Sequence, residues 1–579
     1  MISDQKRHWR LWPGIAAVLL MWLARFGAIK LDLGAVGLYI VIGGMFAGLL
    51  GFILWWAVFS RAAGFERWFA FVVMIAAVAG ISRLLHPSIS GAMMGFMFYL
   101  YSVPTVCLAF VLWAVATQRL TAPVRRISMV AAIAAGSGVW TLVRSDGITT
   151  TGSGEFAWRW SRTAEQQLLA TAVPPPPVPA IVEAPKPAPT AAPAEPKQAI
   201  IWPGFRGADR TGIIPGVRIK TDWSALPPAE VWRRPVGPGW SSFAVRGDLI
   251  YTQEQRGEEE IVACYNAGTG KPVWEHRDKA RFWEANAGAG PRATPTLSGN
   301  RVYTCGATGI VNALDARTGT KLWSRDATAD TGGKVPYWGF SSSPLVEGDI
   351  VIVHAGALAA YDASTGEPRW SGAAKGGSYS SPQLVSLEGV PQVLMMNKDG
   401  IASISPADGA LLWEHAWPGM PIVQPALTPD GDVLITNEER GARRLAVRSA
   451  GIGWKVEERW TSNRLKPSFN DFVIHNGHAF GFDGSILACI DLKDGARKWK
   501  GGRYGQGQLV LLPDQDLLLV ISEEGELALV AAATEQFKEI ARAPAIDGKT
   551  WNHPVLAGGV LFVRNSQEMA AFRLPLASR

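Results

Sequence analysis

The 579 residues include only four cysteines, Cys107, Cys264, Cys305 and Cys489. They form no Cys-x-x-Cys pair, no zinc spacing and no Cys-x-x-Cys-His haem site, which excludes a structural zinc and a covalently attached haem. Cys107 lies in an apolar run and the other three in predicted strands. Buried thiols are expected, with one inter-strand disulfide open in an oxidising compartment. There is no P-loop lysine, no nucleophile elbow, no HExxH and no EF-hand loop. The glycine-rich strings at 286–290 and 237–239 precede no helix, so they are not dinucleotide fingerprints. The chain also lacks a basic stripe with interleaved aromatics. Its formal net charge of +7 comes largely from Lys and Arg beside apolar segments. That is a topology signal, and no nucleic-acid partner is expected.

Apolar residues are concentrated at one end. Residues 1–145 read as a transmembrane domain of about five helices, with apolar runs over 11–29, 36–59, 68–85, 91–117 and 127–144, each near the ~20 residues that span a bilayer. The first run follows Lys6, Arg7 and Arg10, yet no small-residue cleavage site follows it and four more runs come next, so it is read as a helix rather than a signal peptide. Arg61 and Arg67, then Arg119, Arg125 and Arg126, fall on the same side as the N-terminus; Arg25, Lys30 and Arg83 fall on the other. The richer side is expected in the cytoplasm, and an odd number of spans places the remainder outside. No ionisable pair sits mid-helix where an ion or proton path would need one, which favours an anchor or a docking role. Residues 146–200 form the connection. Positions 155–171 predict a short interfacial helix carrying Trp158, Arg159 and Trp160. Residues 174–200 are mostly Pro and Ala, a polyproline II tether that reaches on the order of 80 Å when extended.

Residues 201–579 carry a repeat with a period of 40–50 residues. It reads Cys264-Tyr-Asn-Ala-Gly-Thr-Gly-Lys-Pro-Val-Trp274, then Ala313-Leu-Asp-Ala-Arg-Thr-Gly-Thr-Lys-Leu-Trp323, and again to Trp370, Trp413 and Trp499, with a looser copy ending at Trp460 and a worn one around Phe537. An alternating run makes a strand, Asp or Asn caps a tight turn, Gly supplies a left-handed backbone, and the next strand ends on a Trp that wedges between neighbouring sheets. Another strand pair precedes each unit, giving four strands per repeat. The fold class is therefore an N-terminal multi-helix transmembrane domain plus an all-β eight-bladed propeller. Blades are expected to start near Trp240, Arg292, Trp338, Tyr379, Gln424, Asn470, Gln506 and Asn552. Residues 229–236, with Trp232 as wedge, supply the last blade's missing outer strand.

These units resemble the pyrroloquinoline-quinone-like (PQQ-like) propeller family over about 200–575, as do the opening segment Trp202-Pro-Gly-Phe-Arg-Gly-Ala-Asp-Arg-Thr-Gly212, Phe480-Gly-Phe-Asp-Gly-Ser and Tyr504-Gly-Gln-Gly. The family takes in quinoprotein dehydrogenases, an outer-membrane assembly propeller and members without assigned activity. The resemblance is informative about fold rather than activity. It implies that the residues before each innermost strand converge at one mouth of the channel: Trp240, Ser241, Arg292, Thr294, Trp338, Phe340, Ser341, Tyr379, Ser380, Gln424, Phe469, Asn470, Asp471, Gln506, Trp551, Asn552 and His553.

For a quinoprotein the resemblance implies Trp551 or Trp338 as stacking floor, Arg292 on the quinone, Asn470, Asp471 and Asn552 as oxygen donors, with Asn470 and Asp471 toward calcium and Asp471 as base or ligand. No Glu ligand is evident, the adjacent-cysteine disulfide of soluble quinoprotein alcohol dehydrogenases is absent, and the long insertions that cover the cofactor are missing. The same residues also read as plugging rings and turn residues. Two functions follow. One is a non-catalytic binding scaffold at the inner membrane, with an envelope protein, peptide strands or a polymer as partner. The other is a PQQ- and calcium-dependent membrane dehydrogenase that oxidises an alcohol or sugar and reduces ubiquinone. A sensor relaying ligand capture through the helices is a third.

Overall fold

The computed structural model describes residues 9–27, 35–149, 153–171, 200–451 and 453–577. The chain divides into two compact units, Met1–Ser161 with Glu284–Gly288, and Arg162–Trp283 with Ala289–Arg579. The Pro/Ala tether lies outside the described residues.

In the first unit the five apolar runs become five helices. These are α1 (Trp12–Trp22, prolonged by a π-helical turn Leu23–Gly27), α2 (Ala35–Leu54, prolonged by Trp55–Phe59), α3 (Gly64–Ile81), α4 (Met97–Ala116) and α5 (Ala122–Gly138). Three stretches are long and apolar enough to cross a membrane, Tyr39–Phe59, Gly64–Ile81 and Met97–Ala116; Trp12–Gly27 is apolar but shorter. The fourth run loses its first turns because Met93 and Met94 take left-handed φ of 52° and 55°, so α4 starts only at Met97. The fifth starts earlier than expected and stops at Gly138, after which the chain turns into a strand, Val143–Ile148. The expected interfacial helix is split: Gly154–Trp158 pairs with Val143–Ile148, and α6 (Ala164–Thr171) follows in the second unit.

Helices α1 and α2 approach through small residues. A Cβ at Gly48 would fall 2.4 Å from Met21 Cγ, and one at Gly44 would fall 2.4 Å from Ala24 Cβ. Aromatic rings fill the rest, with Phe110 4.7 Å from Trp56 and 4.9 Å from Trp113. Glu66, in the first turn of α3, is buried and holds Arg125 at 2.8 Å and Arg126 at 3.4 Å from the first turns of α5. This ion pair sits at helix ends, not mid-helix. Arg25, read from the sequence as a loop charge, belongs instead to the π-helical turn and is buried over the Tyr101 ring, 4.4 Å away.

The second unit is the eight-bladed propeller. Blades 2 to 7 are four-stranded antiparallel sheets in sequence order. Blade 1 gains a fifth strand, Ile200–Trp202, on its inner edge. Blade 8 takes Val555–Ala557, Val560–Arg564 and Glu568–Arg573 from one end and Ala229–Pro235 from the other, with Trp232 opposite Ala571. The predicted closure is therefore observed.

The wedge works by two contacts. The indole N–H of each Trp donates to a hairpin carbonyl of the next blade: Trp232 to Ala267 at 2.8 Å, Trp274 to Ala316 at 3.2 Å, Trp323 to Ala363 at 3.2 Å, Trp370 to Pro406 at 3.0 Å, Trp460 to Leu492 at 2.8 Å and Trp499 to Ala533 at 2.7 Å. In five of the six, all but Trp499, the ring then lies against that hairpin's glycine. A Cβ at Gly319, whose φ is +73°, would meet Trp274 at 2.4 Å. Trp413 departs from the pattern and donates to Gln392 in its own blade at 2.7 Å, because the next hairpin, Gly441–Ala450 with Gly453–Ser462, is a pair of ten-residue strands without the Asp-to-Gly turn. All four cysteines are free and buried.

Candidate functional site

Seven of the eight innermost strands follow a residue that precedes Pro or Phe: Ser242, Thr294, Ser343, Ser381, Gln424, Asp471 and His553. These positions form a belt around the axis. Ser242 N donates to Thr294 Oγ1 (3.0 Å), Thr294 N to Ser343 Oγ (3.0 Å), and Ser343 N to Ser381 Oγ (2.9 Å). Gln424 N donates in the same way to Asp471 Oδ1 at 2.7 Å. Blades 8 and 1 are tied by Ser242 Oγ to His553 O and by Asn552 Nδ2 to Ser241 O, each 2.7 Å. Asp471 thus occupies in blade 6 the place that a hydroxyl occupies in blades 2, 3 and 4.

The opening segment 202–214 lies against this belt. Its two arginines take left-handed backbone, φ 58° at Arg206 and 54° at Arg210. Arg210 donates to the carbonyls of Ser343 (3.2 Å), Pro382 (2.9 Å) and Pro344. Arg206 donates to Thr211 O (2.9 Å) and Phe472 O, and its Nε is 3.8 Å from Asp471 Oδ2. Phe205 packs edge-on to His553 with centroids 5.0 Å apart, Leu297 N donates to Pro203 O at 2.7 Å, and Gln383 Nε2 donates to Asp209 O at 2.8 Å. The His553 Nε2 is 3.4 Å from Asp471 Oδ2. Burial pushes the Asp471 carboxyl up, but Arg206, His553 and the Gln424 N–H outweigh it and hold the group below its ordinary range. Burial lowers His553, with Asp471 opposing.

Above the belt the rings cluster. Trp551 lies 4.7 Å from Trp240 and 4.9 Å from Phe469, Lys549 Nζ is 4.5 Å from its ring, and its Nε1 donates to Glu523 Oε1 at 3.0 Å. Glu523 Oε2 also accepts from Gln506 N at 3.2 Å. Trp338 packs against Tyr379 at 5.1 Å. The Arg292 guanidinium lies 4.6 Å from the Phe282 ring and donates to Gly290 O. Asn470 Oδ1 accepts from Ser468 N at 3.1 Å.

Of the residues singled out from the sequence, the structure brings Asp471 to His553, and Trp551 to Trp240 and Phe469. Arg292 and Trp338 are engaged with their own neighbours. Arg206, Arg210, Lys549 and Glu523 were not anticipated. The signal for the first two is a pair of arginines four apart in a glycine-rich segment directly before the first blade.

Calcium takes six to eight oxygen ligands. Asp471 faces a backbone N–H, a guanidinium and an imidazole, and Asn470 Oδ1 is bonded within its own loop. Among the described residues no group of three or more His, Cys, Asp or Glu could hold a metal ion. The Trp551 ring is flanked by Trp240, Phe469 and Lys549. These residues, as arranged, do not fit a quinone stacked over calcium.

The family model described as outer membrane protein assembly factor BamB matches residues 224–393, 307–537 and 392–575. The Yersinia pestis protein of that name is 25% identical over 284 residues, covering 44% of this chain; the chain spans 66% of that protein's length, just under two thirds. The Shewanella oneidensis protein of that name is 25% identical over 383 residues, covering 60% of this chain and 89% of its own. Among solved structures, quinohemoprotein alcohol dehydrogenase ADHIIG from Pseudomonas putida HK5 superposes with a TM-score of 0.50 at 13% identity, over 66% of this chain and 81% of that one. That likeness bears on the fold alone.

Proposed function

Because the chain belongs to the PQQ-like β-propeller family described as outer membrane protein assembly factor BamB, we propose that its propeller is a non-catalytic scaffold for an envelope protein. In this reading the N-terminal helices hold it at the inner membrane as a multi-pass anchor. Their N-terminus is cytoplasmic and the propeller periplasmic.

One observation carries the reading. The only belt carboxylate, Asp471, is a structural link to blade 5 and the counter-charge of Arg206. A general base must be free to take a proton within reach of substrate, whereas this one is held ionised beneath the opening segment. The rings that would floor a quinone are packed on other rings, Trp551 on Trp240 and Phe469 and Trp338 on Tyr379. The dehydrogenase alternative, with PQQ, calcium and ubiquinone, therefore draws no support from this site.

Two measurements on the full chain test this. Adding PQQ and calcium to the purified protein is expected to give no saturable cofactor absorbance and no dye reduction with alcohols or sugars. Cross-linking in intact cells is expected to give a discrete adduct with another envelope protein. Cofactor-dependent turnover together with no adduct would reverse the assignment.

A further inference from the structure

The rim of the propeller is laced with paired charges. Arg233 meets Glu230 and Glu568, Arg277 meets Glu259 and Glu275, Arg369 meets Asp349 and Asp362, and Arg542 meets Glu526 and Glu539. Each of these arginines on an outer strand is clamped by two carboxylates. The seam between blades 5 and 6 breaks this habit.

A groove of about 690 Å³ opens there, lined by Arg440, Thr461, Asn463, Arg464, Asp494 and Arg497 among others. Three arginines against one aspartate leave a formal excess of +2. Arg497 is committed to Asp483, which Lys500 also contacts at 2.7 Å. Arg440 and Arg464 are exposed, and neither has a carboxylate partner within 4 Å among the described residues. Asp494 is turned into its own hairpin, where it accepts from Ala496 N at 2.9 Å.

The walls are fixed. Arg440 N donates to Asn437 Oδ1 at 2.7 Å, Arg497 Nη2 donates to Arg464 O at 2.9 Å, and Ser462 Oγ ties the two blades by donating to Gly495 O at 2.6 Å. Two guanidiniums without carboxylate partners, Arg440 lying 5.8 Å over the Trp417 ring, stand among hydroxyl and amide groups and are suited to planar two-oxygen acceptors, which guanidinium forks bind bidentately. The groove is far larger than a single phosphate requires.

We propose that this seam is a docking surface for an acidic, extended segment of a partner protein, whose side-chain carboxylates pair with Arg440 and Arg464. The inference rests on the scaffold reading and deepens it by naming the surface and the partner's chemistry.

The test uses the full chain in detergent with two labelled synthetic peptides, hexaglutamate and hexaglutamine, followed by fluorescence anisotropy. Hexaglutamate is expected to bind saturably and hexaglutamine not. The double change Arg440→Glu with Arg464→Glu should weaken binding about tenfold or more, and added salt should weaken it too because the groups are solvent-facing. Lys321→Glu, an exposed charge on blade 2, should leave it unchanged. No saturable binding, equal weakening by Lys321→Glu, or displacement by inorganic phosphate at the peptide's own concentration overturns the proposal. Cross-linking in cells separates the two readings. If wild type and the double variant give the same adduct, the groove assignment fails and the scaffold stands. If wild type gives none, the scaffold reading itself fails.

Discussion

Glu260 shows how one buried group couples this propeller to pH. It lies in the blade 1 strand Glu259–Asn266, and its Oε1 accepts from Ala307 N at 3.0 Å. A Cβ at position 306 would fall 2.0 Å from its Oε2, so a side chain there would displace the carboxylate. Burial pushes the carboxyl up to about 7, with Ala307 N and Arg292 opposing. Arg292 is therefore a partial counter-charge to Glu260. A carboxyl raised in the folded state binds its proton more tightly there than in the unfolded chain. Its contribution to stability is present below the unfolded value and is lost as pH rises through about 7. Glu260→Gln keeps the acceptor and removes the charge. We expect it to stabilise the propeller by roughly 2–3 kcal/mol at pH 8 and by little at pH 5, read as a shift in thermal midpoint at each pH. A shift of the same size at both would show that ionisation of Glu260 is not responsible. Asp471 has the opposite sign: its stabilisation is present above the ordinary carboxylate range and lost as pH falls below it.

At the scale of elements, the hairpin-and-indole lock is the recurring unit. Gly319→Ala asks for a strained backbone at φ +73° and puts a methyl 2.4 Å from the Trp274 ring. It should cost about 2–4 kcal/mol in denaturant unfolding. An unchanged midpoint would mean that the ring does not bear on this hairpin. The lock explains what was readable in advance. It needs a Trp, a turn-capping Asp or Asn and a glycine at fixed spacing, so it writes itself into the repeat. Where other groups replace it, as with Phe537 packing on Trp499 at 5.7 Å or the long hairpin of blade 5, the repeat fades. The belt was harder to see. Its members lie about 40–50 residues apart and differ chemically, with Thr294, Ser343 and Ser381 as hydroxyls and Asp471 as a carboxylate. Asp471 therefore stood out as a lone functional acid, although the Pro or Phe that follows each belt residue was there to align them. Hydropathy placed the helices but not their ends. Met93 and Met94 are apolar, and only their left-handed backbone shortens α4.

For the whole molecule, topology is the leading expectation. Basic residues gather beside one set of helix ends, and Glu66 with Arg125 and Arg126 lies at the starts of α3 and α5. A reporter active only outside the cytoplasm, fused beyond residue 577, should be active; a reporter in the turn at Arg119 should be silent. The reverse pattern would put the propeller in the cytosol and remove the basis for an envelope role.

The strand Ala229–Pro235 waits for a partner that arrives late. Arg233 pairs with Glu568, 335 positions further along the chain. During synthesis, seven blades can stack before this strand has anything to bond, and its edge stays unprotected for that whole interval. Completion of the disc is thus timed by the last blade's emergence. A chain stalled anywhere short of Glu568 would present an open ring to the protein-quality machinery of its compartment.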